Sequence, residues 1–126
     1  MARQTRRLPQ ASALWRVVGF GQEQHAPGSG YWYDNAHRTP ADMVVLQITV
    51  AGQLLYRDRH GEQRVPPGWA VIFRYDEPSG YGLPPDARQV YQPKWVALRG
   101  PGLGEHWDSL RRQHGSVIDL RGNDQV

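Results

Sequence analysis

Five histidines (His25, His37, His60, His106, His114) and no cysteine set the limits on what chemistry this 126-residue chain can do. Without thiols, disulfide staples and thiolate metal sites are excluded. A metal needs two or more ligands at one point, and the His-x-His pattern that puts two imidazoles on one strand face does not occur. His60 falls at a turn, His106 and His114 lie about two helical turns apart, and only His37 sits near an aromatic segment. The expectation is no bound metal and no cofactor. Nucleophilic catalysis finds no better support. Ser12, Ser29, Ser79, Ser109 and Ser116 lack a nucleophile-elbow context, and Gly19-x-Gly21 has no following helix to make it a phosphate loop. Asp34, Asp42 and Glu77 could form an acid–base pair, but no spacing requires it. No catalytic residue is assigned, and the chain reads as a non-enzyme.

An aromatic and arginine set is more informative. Tyr31 and Tyr33 alternate along one segment, with Arg38 soon after. Tyr91, Pro93, Trp95 and Ala97 share one face of another, because alternate residues of a strand point the same way. Tyr81 lies just before the loop into that segment. A ring beside guanidinium and hydroxyl groups suits a small polar ligand, the ring covering its apolar face and the polar groups bonding its oxygens. The same residues would serve equally well as ordinary core. Spacing alone does not choose.

The elements that must carry these residues are short. Gly and Pro number 14 and 10, and Gly28-Ser29-Gly30, Thr39-Pro40, Ala51-Gly52, His60-Gly61, Pro66-Pro67-Gly68, Pro78-Ser79-Gly80 and Pro84-Pro85-Asp86 punctuate the middle of the chain. Between them lie strand-like runs. In Met43 to Val50, Val44, Leu46, Ile48 and Val50 take one face while Gln47 and Thr49 take the other, the period-two pattern of a half-buried strand. Leu54 to Arg57 and Gln63 to Val65 flank a hairpin turn. Trp69 to Tyr75 and Val90 to Arg99 continue the series, which indicates an all-β sandwich or barrel. Near the end, Pro101 is placed to open a helix. Leu103, Trp107 and Leu110 form its apolar stripe, and Gly115 stops it. Ser116 to Leu120 reads as a further short strand.

Composition supports one folded domain, with 39% hydrophobic and 21% charged residues. The net charge of +3 comes with arginines scattered along the chain, so it is read as solvated surface rather than a nucleic-acid stripe. The first ten residues lack the apolar core of a secretory signal, and no apolar run is long enough to span a bilayer. A cytoplasmic setting without membrane attachment is expected.

From about Leu14 to Leu120 the chain resembles the N-terminal effector-binding domain of AraC-family transcription regulators. Four stretches carry the resemblance: Tyr33-Asp34 with Arg38; Val45 to Gln53, a strand ending in a Gly turn; Val65-Pro66-Pro67-Gly68-Trp69-Ala70-Val71-Ile72-Phe73; and Tyr81 to Gly100, which ends in Lys94-Trp95-Val96-Ala97-Leu98-Arg99-Gly100. The resemblance implies a cupin barrel (a double-stranded β-helix, jelly-roll-like) with one or two short C-terminal helical segments. Residues 1–13 would be a flexible arm, 14–120 the effector-binding domain, and 121–126 a frayed end leading to a DNA-binding domain beyond residue 126. Arg38 would hydrogen-bond a small effector, often a sugar. Trp95 would stack on it and Tyr81 would offer its hydroxyl. Tyr33, Tyr91, Pro93 and, from the arm, Pro9 complete the ligand-binding set. DNA would be touched only through the further domain, and the full-length regulator would pair as a homodimer.

Two departures bear on the ligand. Glu77-Pro78-Ser79-Gly80-Tyr81 lacks the histidine that the family often has before the tyrosine, and Pro93 stands where the arabinose sensor has a polar residue, which argues against arabinose. The alternative function is a small cupin enzyme acting on a sugar or another small polar metabolite, with His37, Asp34 and a tyrosine as its acid–base groups. An exported carbohydrate-binding module is the third reading.

Overall fold

Alternating apolar runs too short for helices pair here as strands. The computed structural model describes residues 14–122. The larger antiparallel sheet contains β1 (Arg16–Gln22), β3 (Val44–Ala51), β6 (Trp69–Arg74), β8 (Gln92–Arg99) and β9 (Val117–Asp119), in the order β1-β8-β3-β6-β9. The smaller contains β2 (Trp32–Asp34), β4 (Leu54–Asp58), β5 (Gly61–Val65) and β7 (Gly80–Gly82), in the order β2-β7-β4-β5. One helix, α1 (Leu103–His114), lies near the C-terminal end. The fold is thus mostly β, two antiparallel sheets with one C-terminal helix among the described residues, as expected from the sequence. The expected arm at residues 1–13, Pro9 included, and residues 123–126 lie outside the described residues. Among the described residues no helix is long and apolar enough to cross a membrane.

Two apolar clusters hold the layers. Val45, Val71 and Phe73 of the large sheet meet Leu54, Tyr56 and Val65 of the small sheet, with Tyr81, Tyr91 and Ala97 in the same cluster. On the far side of the large sheet, Val44 and Ile72 lie beneath Leu103 and Trp107 of α1. The Trp107 indole N–H also donates to the Val45 carbonyl at 3.2 Å. β3 and β6 are therefore covered on both faces, and Ala70 to Phe73 are all buried, as suits strands with few polar residues.

The orientation of β3 corrects the sequence reading. Gln47 and Thr49 belong to the face between the sheets and are buried, whereas Val50 is 47% exposed. The reason is a bulge. The β3–β8 register pairs Thr49 with Pro93 and then Ala51 with Gln92, which leaves Val50 as the extra residue and drops it from the face of Val44, Leu46 and Ile48. The same bulge makes room for Pro93 in a central strand, where its missing N–H would otherwise break the ladder. Burial of Thr49 is compensated by its hydroxyl donating to the Val65 carbonyl at 2.8 Å. A smaller correction concerns the helix start. Gly102, in the left-handed region at φ 74°, is the N-cap, and α1 begins at Leu103 rather than at Pro101.

Candidate functional site

Arg38 owes its position to a single 3-10 turn, Asn35–His37, that follows β2. The Asp34 carboxylate caps this turn by accepting the Ala36 N–H at 3.0 Å. The Arg38 N–H closes it on the Asn35 carbonyl at 3.2 Å. The side chain then returns against β2 and β7. Nη1 donates to the Tyr81 hydroxyl at 2.8 Å and to Asn35 Oδ1 at 3.1 Å, while Nη2 donates to the Tyr75 hydroxyl at 2.7 Å. The guanidinium carbon lies 4.0 Å from the Tyr75 ring centre and 4.6 Å from that of Tyr33, within cation–π reach. Of its five N–H donors, two have no partner among the described residues.

Behind this seat the interior is aromatic. Tyr31 packs edge-on against Tyr33 and Tyr81, with ring centres 5.7 and 6.2 Å apart. Phe73 lies 4.6 Å from Tyr81. The buried Gln47 amide donates to the Tyr91 hydroxyl at 3.0 Å and the Tyr31 hydroxyl at 3.3 Å. Burial is the largest influence on these phenols. It pushes Tyr81 up to about 12 against the opposing pull of the Arg38 charge. It pushes Tyr91 up to about 12 and raises Tyr31 as well, in both cases against the Gln47 hydrogen bond. All three stay neutral at ordinary pH, as hydroxyls able to donate or accept.

Trp95 occupies the neighbouring stretch of wall. Its ring lies over β1, where a Cβ added to Gly21 would come 3.1 Å from it and one added to Gly19 3.5 Å. The two glycines noted in the sequence are therefore a bed for an indole. Trp95 Nε1 donates to Glu23 Oε2 at 2.8 Å, and Glu23 Oε1 lies 2.8 Å from His25 Nε2. His25 stacks on Tyr31 at 3.6 Å and its backbone bridges to Tyr91. Pro93 is buried, and with Glu23 it lines a hollow of 170 Å³.

The structure thus brings Arg38, Tyr33 and Tyr81 into one cluster, with Tyr91 and Trp95 joined to it through Tyr31 and His25. His37 is exposed in the 3-10 turn, and Asp34 acts there as a cap. Sequence reading passed over Glu23, His25, Asn35, Gln47 and Tyr75. Only Gln47, a polar residue inside an apolar run, left a local trace. Among the described residues no group of three His, Asp or Glu side chains is arranged to hold a metal ion.

A chain of polar contacts leaves the cluster toward α1. Asn35 Nδ2 donates to Ser79 Oγ at 2.9 Å, and Ser79 Oγ donates to Glu77 Oε2 at 2.7 Å. Glu77 receives both Arg111 Nη groups of α1, at 2.7 and 2.9 Å. Arg111 also reaches Asp108, which holds Arg74 at 2.7 Å.

A pair of antiparallel sheets with an aromatic, hydroxyl-rich interior around one guanidinium is the chemistry of a small-molecule binding domain. The family is settled by comparison: the model of the AraC-like ligand binding domain matches residues 16–126, and the chain belongs to that family. Among solved structures, the protein YhaK from Escherichia coli is similar at 21% identity and a TM-score of 0.49, over 69% of this chain but only 37% of YhaK. The Cupin_2 domain of an XRE family transcriptional regulator from Enterobacter cloacae is similar at 15% identity and a TM-score of 0.48, over 70% of this chain and 96% of that domain. Comparison with curated proteins gives no match.

Proposed function

We propose that this chain is the effector-sensing domain of an AraC-type transcription regulator in the cytoplasm. It binds a small polyhydroxylated molecule, a sugar or sugar acid, and carries out no reaction itself. Arg38, Tyr33, Tyr81, Tyr91 and Trp95 are the ligand groups, Pro93 is part of the wall, and Pro9 contributes from the arm. DNA is contacted only by a further domain, in the regulator's homodimer. The observation that carries this reading is the Arg38 seat: a guanidinium with two uncommitted donors, held between aromatic faces and neutral phenol hydroxyls. Ring hydroxyls would exchange with those of Tyr75 and Tyr81, and an aromatic face would cover the C–H surface. Ligand binding would then bias the regulator between two states by differential affinity.

Thermal unfolding against a panel of monosaccharides and sugar acids tests the proposal, with divalent metals and a chelator in parallel. A specific ligand at ~100 times its Kd adds about 2.7 kcal/mol, roughly ten degrees in a chain of this size. Tyr33 is 47% exposed and so can be cut back without opening the core. Tyr33→Ala should unfold near the parent temperature yet lose most of the ligand shift. A panel with no response, or an undiminished shift in Tyr33→Ala, refutes the site. One observation favours the enzyme alternative, namely the Glu23–His25 pair at 2.8 Å beside Tyr31. Turnover of a panel sugar that disappears in Glu23→Gln would put that reading first.

A further inference from the structure

A wide cleft lies away from the aromatic walls. It has a volume of about 820 Å³ and lies between the tip of the β4–β5 hairpin, the loop after β6 and the C-terminal half of α1. Small-molecule sites commonly occupy ~300–1,000 Å³. Four arginines from distant parts of the chain converge on it: Arg59, Arg74, Arg111 and Arg112. In the sequence these arginines are indistinguishable from scattered surface charge.

Two of the three acids of the cleft are held by arginines. Glu77 holds Arg111 through both oxygens, with the two side chains only 15% and 19% exposed. Asp108 holds Arg74 at 2.7 Å and touches Arg111 at 3.3 Å. Asp58 accepts the His60 backbone N–H at 2.8 Å. Among the described residues, Arg59 and Arg112 have neither an ion-pair partner nor a side-chain hydrogen bond. Among the described residues the cleft therefore presents two unpaired guanidinium forks against one unpaired carboxylate, Asp58, above the matched Glu77, Asp108, Arg74 and Arg111, which leaves an excess of positive charge. A guanidinium fork fits the paired oxygens of a carboxylate or phosphate, and a walled concavity raises the local concentration of the opposite charge. Gln63 and Ser116 line the same space and suit the neutral part of such a molecule.

We propose that this cleft is a second ligand site, distinct from the Arg38 cluster, that takes a small organic anion through Arg59 and Arg112. Arg59 sits in the two-residue turn joining β4 to β5, and Arg112 sits on α1. An anion bridging them ties the small sheet to the helix. Its floor, the Glu77–Arg111 pair, also ends the polar chain that starts at Arg38. Occupancy here can thus be felt at the first site without a shared ligand.

The test is calorimetric titration of the whole 126-residue chain at low ionic strength, with inorganic phosphate and with citrate as probes. Saturable one-site binding of at least one probe is expected. Binding should weaken about tenfold in Arg59→Ala and in Arg112→Ala, and further in the double variant. Arg16→Ala, on β1 at the opposite edge of the large sheet, should bind as the parent does. Preference for phosphate over citrate, or the reverse, assigns the anion to one class or the other. Absence of saturable binding for both probes overturns the proposal, as does equal weakening by Arg16→Ala. Arg38 remains intact in every variant, so failure here leaves the sugar-site reading untouched.

Discussion

Replacing Arg38 by alanine should destabilise the domain as well as blunt ligand binding, and the size of that loss tests whether the seat is pre-built. Three hydrogen bonds leave a charged donor, and well-buried bonds to charged groups contribute up to ~1.5–3 kcal/mol each. Two of the acceptors are phenol hydroxyls, which rotate and find water or each other. The third, Asn35 Oδ1, belongs to a residue with 0% exposure, and orphaning a buried acceptor costs about 1–3 kcal/mol. The rings of Tyr33 and Tyr75 add ~0.5–1 kcal/mol each as cation–π partners. Arg38 itself is half-buried, so water recovers part of the total. The expected net loss is about 2–4 kcal/mol, read as a shift of the urea midpoint at unchanged slope. Arg38→Lys keeps the charge but not the fork and should regain less than half. A loss below ~0.5 kcal/mol, the range of ordinary surface substitutions, would show the guanidinium to be solvated and the network idle. Arg38 would then not be a pre-organised ligand seat.

Thr49→Val preserves shape but removes the donor to the Val65 carbonyl, and equilibrium denaturation should register a loss of about 1–3 kcal/mol. Trp107→Phe gives up the indole bond to Val45 together with ring volume, at an expected cost of ~2–3 kcal/mol measured in the same way. Alkaline pH should unfold the domain through its phenols. Tyr81 and Tyr91 have pKa values raised from 10.0 to about 12, so the unfolded chain releases its protons first. Their contribution to stability is complete below pH 10.0 and is lost as pH rises through 12. Tyr91→Phe should flatten that decline, and an unchanged alkaline limb in the variant would contradict the burial assigned to it.

How much of this was legible in the sequence depends on the range of the interactions. Strand identity was readable because alternation is local, and α1 because Leu103, Trp107 and Leu110 repeat at helical spacing. Tyr91, Pro93, Trp95 and Ala97 were readable as one face for the same reason. Gln47 was harder. Alternation tells two faces apart but not which one meets the interior, and a polar residue in an apolar run usually points to water. Here both faces of β3 are covered, one by α1 and one by the small sheet, so polarity is a property of the interior itself. Asn35 and Ser79 lie 44 residues apart, and neither residue type marks its partner.

The misread orientation of β3 shows where the binding chemistry resides. A strand with Val45, Gln47 and Thr49 all facing water would leave Tyr31 and Tyr91 without their amide donor. The phenols of Tyr91, fully buried, and Tyr31, partly buried, would then lack that shared partner at the core. Seating Gln47 inside meets that need and gives both hydroxyls one shared amide donor. The bulge at Val50 then turns the strand outward past Pro93, whose missing N–H is harmless only there. The one irregular point in the β3–β8 pairing and the polar residues before it therefore belong to a single arrangement: it keeps hydroxyls between the sheets instead of the continuous aliphatic packing that α1 receives on the other face.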